Sequence, residues 1–206
     1  MDQRPIPDIV VGRLPIYLRS LQRMAQEGRL VTSSQEMSER LGISAAQIRK
    51  DLSQFGEFGK QGTGYNIEYL ASQIKAILNV DRVWDMAVVG AGDIGSAVAR
   101  YQGFANRGFQ VTMIFDNDPE KIGTTIGPFT VQDYSRLSEI IPEAGIMVAM
   151  IAVPAFSAQD VADELVKAGV KAILNYAPLN INVPEGIHVQ HTDPVTHLQR
   201  MTYYLE

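Results

Sequence analysis

Met86-Ala87-Val88-Val89-Gly90-Ala91-Gly92-Asp93-Ile94-Gly95 runs from four apolar residues through a glycine-spaced turn into the start of a helical pattern. In that setting GxGxxG predicts a dinucleotide pyrophosphate at a helix N-terminus, where unpaired N–H groups and the helix dipole favour negative charge. Gly90 permits the tight turn, Gly92 lets the phosphates approach the backbone, and Gly95 lets the helix pack close to the strand; Ala91, Asp93 and Ile94 complete the loop. Glycine-rich turns without ligands are common, so the motif alone is weak. It gains weight from the next strand, Met113-Ile114-Phe115-Asp116, which ends in the acid expected to accept hydrogen bonds from the adenosine ribose hydroxyls. Asn117 and Asp118 follow with no arginine adjacent, so a 2′-phosphate would meet negative charge and NAD(H) is favoured over NADP(H). The competing reading makes Asp116 the cap of a turn before Asp118-Pro119.

Outward from this motif the second half of the chain alternates. Strands are expected at residues 86–89, 111–115, 146–153, 172–175 and 188–190, with helices at 94–102, 134–141 and 158–168 between them. Apolar runs separated by amphipathic helices indicate a doubly wound parallel sheet, the Rossmann arrangement of an α/β protein. The chain then enters a stripe of Val195, Leu198, Met201 and Leu205 over residues 194–205. Twelve residues are marginal as a free helix, so this one is expected to dock on something.

The first half reads differently. Residues 8–27 carry Leu14, Leu18, Leu21 and Met24 at helical spacing and stop at Gly28. Pro15 either sits in the first turn of a helix that starts near Leu14 or kinks a longer one. Ser33 and Glu36 have capping-box spacing before a short helix stopped by Gly42, and Ser44 and Gln47 repeat that spacing before a helix from Ala45 to about Gln54. Two capped short helices around Gly42-Ile43-Ser44 form a helix-turn-helix signal. The second helix is expected to bury Ile48 and Leu52 and to present Gln47, Arg49 and Lys50, side chains suited to base edges and phosphates in a major groove. A solvated charged face would look similar for a lone Arg-Lys pair. Here residues 55–67, rich in glycine and aromatics, follow as a hairpin whose tip at 61–64 makes a wing, with Lys60 beside it for a minor groove or phosphate. A helical pattern over 68–79 closes this half, and the boundary is placed near Asp81: residues 1–81 a winged-helix domain, 82–191 a Rossmann domain, 192–206 the C-terminal helix.

Charge follows the same division. The 206-residue chain has a formal net charge of −5, but residues 1–82 hold 11 Lys+Arg against 9 Asp+Glu and residues 83–206 hold 7 against 14. The asymmetry suggests domains with different partners. There are no cysteines, which excludes disulfides and thiolate metal sites and fits a reducing cytoplasm. The longest apolar stretch, residues 146–156, is too short to span a bilayer, and Asp2 and Pro5 stand where a signal peptide would carry its apolar core. A cytoplasmic protein without membrane contact is expected.

The chain resembles the Rex family, redox-sensing transcriptional repressors of bacteria, over essentially its whole length. The resemblance rests on Ser44-Ala45-Ala46-Gln47-Ile48-Arg49-Lys50-Asp51-Leu52-Ser53 with Phe55-Gly56, on Gly62-Thr63-Gly64-Tyr65-Asn66, on the glycine motif, on Phe115-Asp116-Asn117-Asp118-Pro119-Glu120-Lys121, and on Leu174-Asn175-Tyr176-Ala177-Pro178. It implies a homodimer that binds two-fold symmetric, double-stranded operator DNA when NADH is low and leaves it when NADH binds, with NADH and NAD⁺ as regulatory ligands. It adds Ser44 and Tyr65 to the expected DNA contacts, Lys121 and Tyr176 to the cofactor contacts, and a C-terminal helix swapped onto the partner. It also implies a switch of Arg19, Tyr101 and Asp193, the carboxylate engaging the arginine and the tyrosine in one state only. Pro194 departs from the family, standing where other members often carry a bulky apolar residue. A sensor must penalise the NAD⁺ cation, and Val153-Pro154 with Ala177-Pro178 are the candidates for an apolar nicotinamide floor, although turn chemistry explains both prolines equally well.

A dehydrogenase is the main rival. Hydride transfer needs a positioned acid or base and a substrate domain, and the chain offers only His188, His191 and His197, all near the C-terminus and without metal-ligand spacing. No enzyme activity is expected. A module that binds nucleotide without touching DNA is the second rival, separable by a gel shift.

Overall fold

The computed structural model describes residues 6–60 and 62–205, Lys60 by its backbone alone. The expectations placed on Asp2, Pro5, Gln61 and the Lys60 side chain therefore lie outside the described residues. Two compact units divide the chain at Arg82 and Val83.

The first unit begins with α1 (Asp8–Val11) and α2 (Leu14–Gln26). The pattern over 8–27 is thus two helices, which settles the Pro15 alternatives: the break falls at Gly12-Arg13 and Pro15 occupies the first turn of α2, where its missing N–H has no helical partner to lose. After β1 (Val31–Thr32) come α3 (Ser34–Leu41) and α4 (Ala45–Ser53), capped by Ser33 and Ser44, whose hydroxyls accept from the N–H groups of Glu36 at 3.1 Å and Gln47 at 3.2 Å. Gly42 ends α3 at φ +68°, in the left-handed region that only glycine adopts freely, and its N–H donates to the Ser38 carbonyl at 2.9 Å. The reciprocal arms of both capping boxes are diverted: Glu36 accepts from Thr32 and Arg29, and Gln47 donates to Asp51. β2 (Gly59–Lys60) and β3 (Gly64–Asn66) form the expected hairpin, but a third strand, β1, joins β3 on its other side, giving the order β1-β3-β2. α5 (Ile67–Ile77) closes the unit, capped by the Asn66 side chain. Leu14, Tyr17, Leu18, Leu21 and Met24 of α2 meet Met37, Ile48, Leu52, Leu70 and Ile74 in one buried cluster.

The second unit starts with β4 (Trp84–Val89) and α6 (Asp93–Arg100), then a 3₁₀ turn, Gln102–Arg107. It continues through β5 (Phe109–Asp116), β6 (Thr125–Ile126), β7 (Phe129–Asp133), a 3₁₀ turn at Tyr134–Arg136 and α7 (Leu137–Glu143). It ends with β8 (Val148–Ile151), α8 (Ala155–Lys167), β9 (Ala172–Asn175), β10 (His188–His191) and α9 (Pro194–Thr202). The sheet order is β10-β9-β8-β4-β5-β7-β6, parallel except where the short β6 pairs antiparallel with β7. Without β6 this is the six-stranded Rossmann order, reversing direction between β4 and β8. Met86 and Val88 enter one apolar cluster and Ala87 and Val89 the other, so β4 is buried on both faces and reads as an unbroken apolar run. The β6–β7 hairpin was not anticipated, and the helix expected from 134 starts three residues later. Among the described residues no helix is long and apolar enough to cross a membrane.

Candidate nucleotide cleft and nucleic-acid face

β4 delivers the chain to Gly90, whose φ of +101° and whose approach to Ala152 exclude any side chain: a Cβ would overlap the Ala152 carbonyl oxygen. At Gly95 a Cβ would overlap the Gly90 carbonyl oxygen, so this glycine lets α6 close on the turn. Gly92 is different. It has ordinary extended backbone at φ −75° and ψ −166°, and a Cβ there would meet no protein atom within 4 Å. Among the described residues nothing crowds position 92, so the turn leaves open space at the cleft for an acceptor to approach the backbone. Gly92 also caps α6 without a side-chain hydrogen bond, leaving the first N–H groups of the helix for an incoming acceptor.

The cleft encloses about 640 Å³ and is lined by Gly90, Gly92, Asp93, Ile94, Asp116, Asp118 and Lys121, with Val153 and Pro154 from the turn after β8. It lies outside the C-terminal ends of β4 and β8, the point of strand-order reversal. Asp116, at the end of β5, is 7% exposed; one carboxylate oxygen accepts from the Ala91 N–H at 2.6 Å and the other from the Asp118 N–H at 2.9 Å, while Lys121 Nζ stands 3.4 Å away. Burial would raise its pKa, but these backbone donors and the lysine charge outweigh burial and hold the carboxyl below the ordinary range. The group is an ionised acceptor fixed to the glycine turn, the chemistry that ribose hydroxyls need. The residues present therefore fit an adenine dinucleotide. Tyr176, Ala177 and Pro178 do not line this cleft; Ala177 is buried in one apolar core cluster of the unit and Tyr176 is half-buried against the cluster that holds Met86 and Val88. The buried Asn175 at the end of β9 holds that segment: its Oδ1 accepts from the Ala177 N–H at 3.0 Å, and its Nδ2 donates to the Leu179 carbonyl at 2.7 Å.

In the first unit, α4 turns Ile48 and Leu52 inward and leaves Arg49 and Lys50 exposed, with Gln47 half-buried and Ser44 exposed at the cap. Arg49 donates to Ser34 Oγ at 2.8 Å, tying α4 to the start of α3. Arg49 and Tyr65 then line a cleft of about 680 Å³ with Ser33, Ser34, Gly59, Gly62 and Gly64, so the helix and the hairpin frame one surface. Burial raises the Tyr65 pKa against the opposing effect of the Arg49 charge.

Sequence reasoning missed the most buried charge among the described residues of this unit. Asp51, 0% exposed, accepts from Arg13 Nε at 2.6 Å and its terminal nitrogen at 2.8 Å, from the Tyr17 hydroxyl at 2.6 Å and from Gln47 Nε2 at 2.7 Å. Burial opposes ionisation, yet the Arg13, Tyr17 and Gln47 donors hold the carboxyl below its ordinary value. The α2 periodicity already placed position 17 inward, and a tyrosine there requires a hydrogen-bond partner. The expected switch residues are divided between the units: Arg19 is exposed on α2, Tyr101 is half-exposed after α6 with its ring edge-on to Phe104, and Asp193 caps α9 by accepting from the Val195 N–H at 2.9 Å.

Comparison with known proteins places both halves of the chain in known families. Residues 81–179 match a family model described as "CoA binding domain", and residues 5–53 match one described as "Putative DNA-binding protein N-terminus". The chain is 55% identical over 199 residues to a redox-sensing transcriptional repressor Rex of Roseiflexus sp. (strain RS-1), covering 97% of this chain and 90% of that protein. Crystal structures of RSP, a Rex-family repressor, superpose on it. The complex with β-NAD⁺ and operator DNA has a TM-score of 0.93 at 36% identity, covering 98% of this chain and 93% of that one. The complex with β-NADH has a TM-score of 0.89 at 34% identity, covering 98% and 95%.

Proposed function

The chain belongs to the Rex family of redox-sensing transcriptional repressors, and from that premise we propose that it binds operator DNA through its first unit and releases it when NADH occupies the second. It is a transcriptional repressor and not an enzyme. The observation that carries the nucleotide half is the open, cleft-lining turn at Gly92, which leaves the backbone at the start of α6 accessible to an anion, beside the ionised Asp116.

Residues 90–95 would hold the pyrophosphate and Asp116 the ribose hydroxyls, with Lys121 balancing charge at the rim. A phosphate on that ribose, as in NADP(H) or coenzyme A, would confront Asp116 and Asp118 together, so NAD(H) fits better. NADH and NAD⁺ differ at the nicotinamide by a positive charge and ring planarity. The apolar Val153 and Pro154 would disfavour the cation, and Ala177 and Pro178 would join them only if the segment after β9 is part of the floor. Ser44, Gln47, Arg49 and Lys50 on α4 would meet the major groove, with Tyr65 and Lys60 of the hairpin on the flanking backbone.

The working form is a homodimer. α9 supports this: Val195, Leu198, Met201 and Leu205 are all more than half exposed and no residue of the helix is buried, although nine residues are too few for a stable isolated helix. A swap of α9 onto the partner would bury that stripe and bring Asp193 within reach of Arg19 and Tyr101 in one of two states. The protein would work in the cytoplasm, where DNA and the NAD(H) pool are both available.

A gel shift with a labelled palindromic promoter duplex tests the proposal. Complex is expected with NAD⁺ and lost on titrating NADH; failure to bind any such duplex, or a complex indifferent to NADH, overturns it.

A further inference from the structure

We propose that Asp51 is a positioning residue for DNA reading: its buried carboxylate seats α4 on α2 and fixes which end of the Gln47 amide faces away from the protein. The inference rests on the DNA-binding reading above and deepens it. Asp51 receives four hydrogen bonds from three side chains, two from Arg13 just before α2, one from Tyr17 a turn later and one from Gln47 a turn earlier on its own helix. The two oxygens divide the donors: Oδ2 takes Arg13 Nε and Tyr17, both from the α2 side, and Oδ1 takes the second Arg13 nitrogen together with Gln47 of α4. An apolar contact in this place would hold α4 without fixing its rotation; paired directional bonds fix both rotation and axial position.

The consequence for Gln47 follows from donor and acceptor chemistry. An ionised carboxylate has no hydrogen to give, so Gln47 turns its nitrogen to Asp51, at 2.7 Å, and its carbonyl oxygen away. A free glutamine can flip and suit either kind of base edge. Held in this way, Gln47 offers an acceptor in a fixed place, which the amino groups of adenine N6 and cytosine N4 satisfy and a keto edge does not. Asp51 touches no DNA in this account and acts through Gln47 and the seating of α4.

The test begins with the wild-type protein, which selects a duplex from a two-fold symmetric randomised library; the Gln47→Ala variant then identifies the base pair that Gln47 reads. Anisotropy titrations against the selected duplex, its single-pair variants and a non-specific duplex follow. Asp51→Asn is expected to lose about 10- to 100-fold in affinity for the selected duplex, and its preference at the Gln47 pair is expected to collapse to within about threefold, with non-specific affinity nearly unchanged. In the Gln47→Ala background the same change is expected to leave base preference unaltered. Should Asp51→Asn fail to fold, Tyr17→Phe removes one donor and leaves the Arg13 pairing; it is expected to weaken selected-site binding several-fold and relax the same preference. If Asp51→Asn and Tyr17→Phe lower affinity for every duplex by one common factor and keep the preference at the Gln47 pair, Asp51 is only a stabilising residue and the proposal is overturned while the DNA-binding reading stands. A wild-type protein that selects no duplex overturns both.

Discussion

Gly92 and Gly95 stand three residues apart and separate ligand chemistry from folding chemistry. A side chain at 95 overlaps the Gly90 carbonyl, so Gly95→Ala must displace backbone, and a lower melting temperature is expected. A Cβ at 92 meets no described protein atom within 4 Å and the backbone is unstrained, so Gly92→Val is expected to lower the unfolding temperature by only a few degrees, the cost of about 1 kcal/mol for a poorer helix N-cap, while NADH affinity measured by fluorescence falls at least tenfold. A Gly92→Val protein that binds NADH normally would remove the phosphate role from this turn. Asp116→Ala removes the ribose acceptor and is expected to spare DNA binding while blunting the response to NADH. At Asp51 the prediction concerns pH. Its folded pKa lies below the ordinary aspartate value, so its pairing contributes full stability above that ordinary value and loses the contribution as pH falls through the folded pKa. Arg13→Ala would leave the carboxylate buried with one charged partner gone; Arg13 is itself 20% exposed, so the loss is expected at about 2 to 3 kcal/mol near pH 7, below the range for fully enclosed pairs. Urea melts against pH should show the difference from wild type shrinking below about pH 4, the reference range for a carboxylate, and a difference independent of pH down to acid would contradict the assignment.

At the scale of elements, α4 carries the contact chemistry in its exposed Arg49 and Lys50. Lys50→Ala is expected to weaken operator binding by about 1 to 3 kcal/mol if it reads a base, and to weaken all sequences equally with a shallower salt dependence if it meets phosphate. The helix-turn-helix was legible because its signals are local: a serine three residues before an N–H in need of an acceptor, twice, and Gly42 where the chain must turn left-handed. The glycine turn and Asp116 were legible for the same reason. Other elements were not. β1 and β6 are two residues each, too short for alternation to register, and β1 exists only because Val31 and Thr32 align with Asn66 and Tyr65. Asp51 lies 38 residues from Arg13, and a buried charge cannot be told from a solvated one until its partner is placed. A surface chain of alternating charges, Arg23-Glu27-Arg40-Glu36-Arg29, was equally hidden; it ties the end of α2 to α3. Arg40 holds both acids of that chain.

For the whole molecule, the division of charge and the division into units coincide, and a sensor must convert ligand preference in the second unit into a change at the first. Its range is set by differential affinity alone: moving from 99:1 to 1:99 in favour of the DNA-releasing state requires NADH to prefer that state by roughly 10⁴-fold, about 5.5 kcal/mol. The conversion assigned to α9 can be isolated. Truncation after Thr192 removes Asp193 and a helix with no buried residue, so neither unit loses core packing and both melts are expected to persist. NADH binding at the glycine turn is expected to remain, because every residue lining the cleft precedes position 162. Sedimentation should find the truncated chain monomeric at concentrations where the full chain is dimeric. Operator affinity should fall, because half-sites are then bound independently, and whatever DNA binding survives should no longer respond to NADH. A truncated protein that stays dimeric would place the dimer contact elsewhere on the chain; one that is monomeric yet still releases DNA with NADH would place the coupling within a single subunit, leaving α9 an assembly device without a part in sensing.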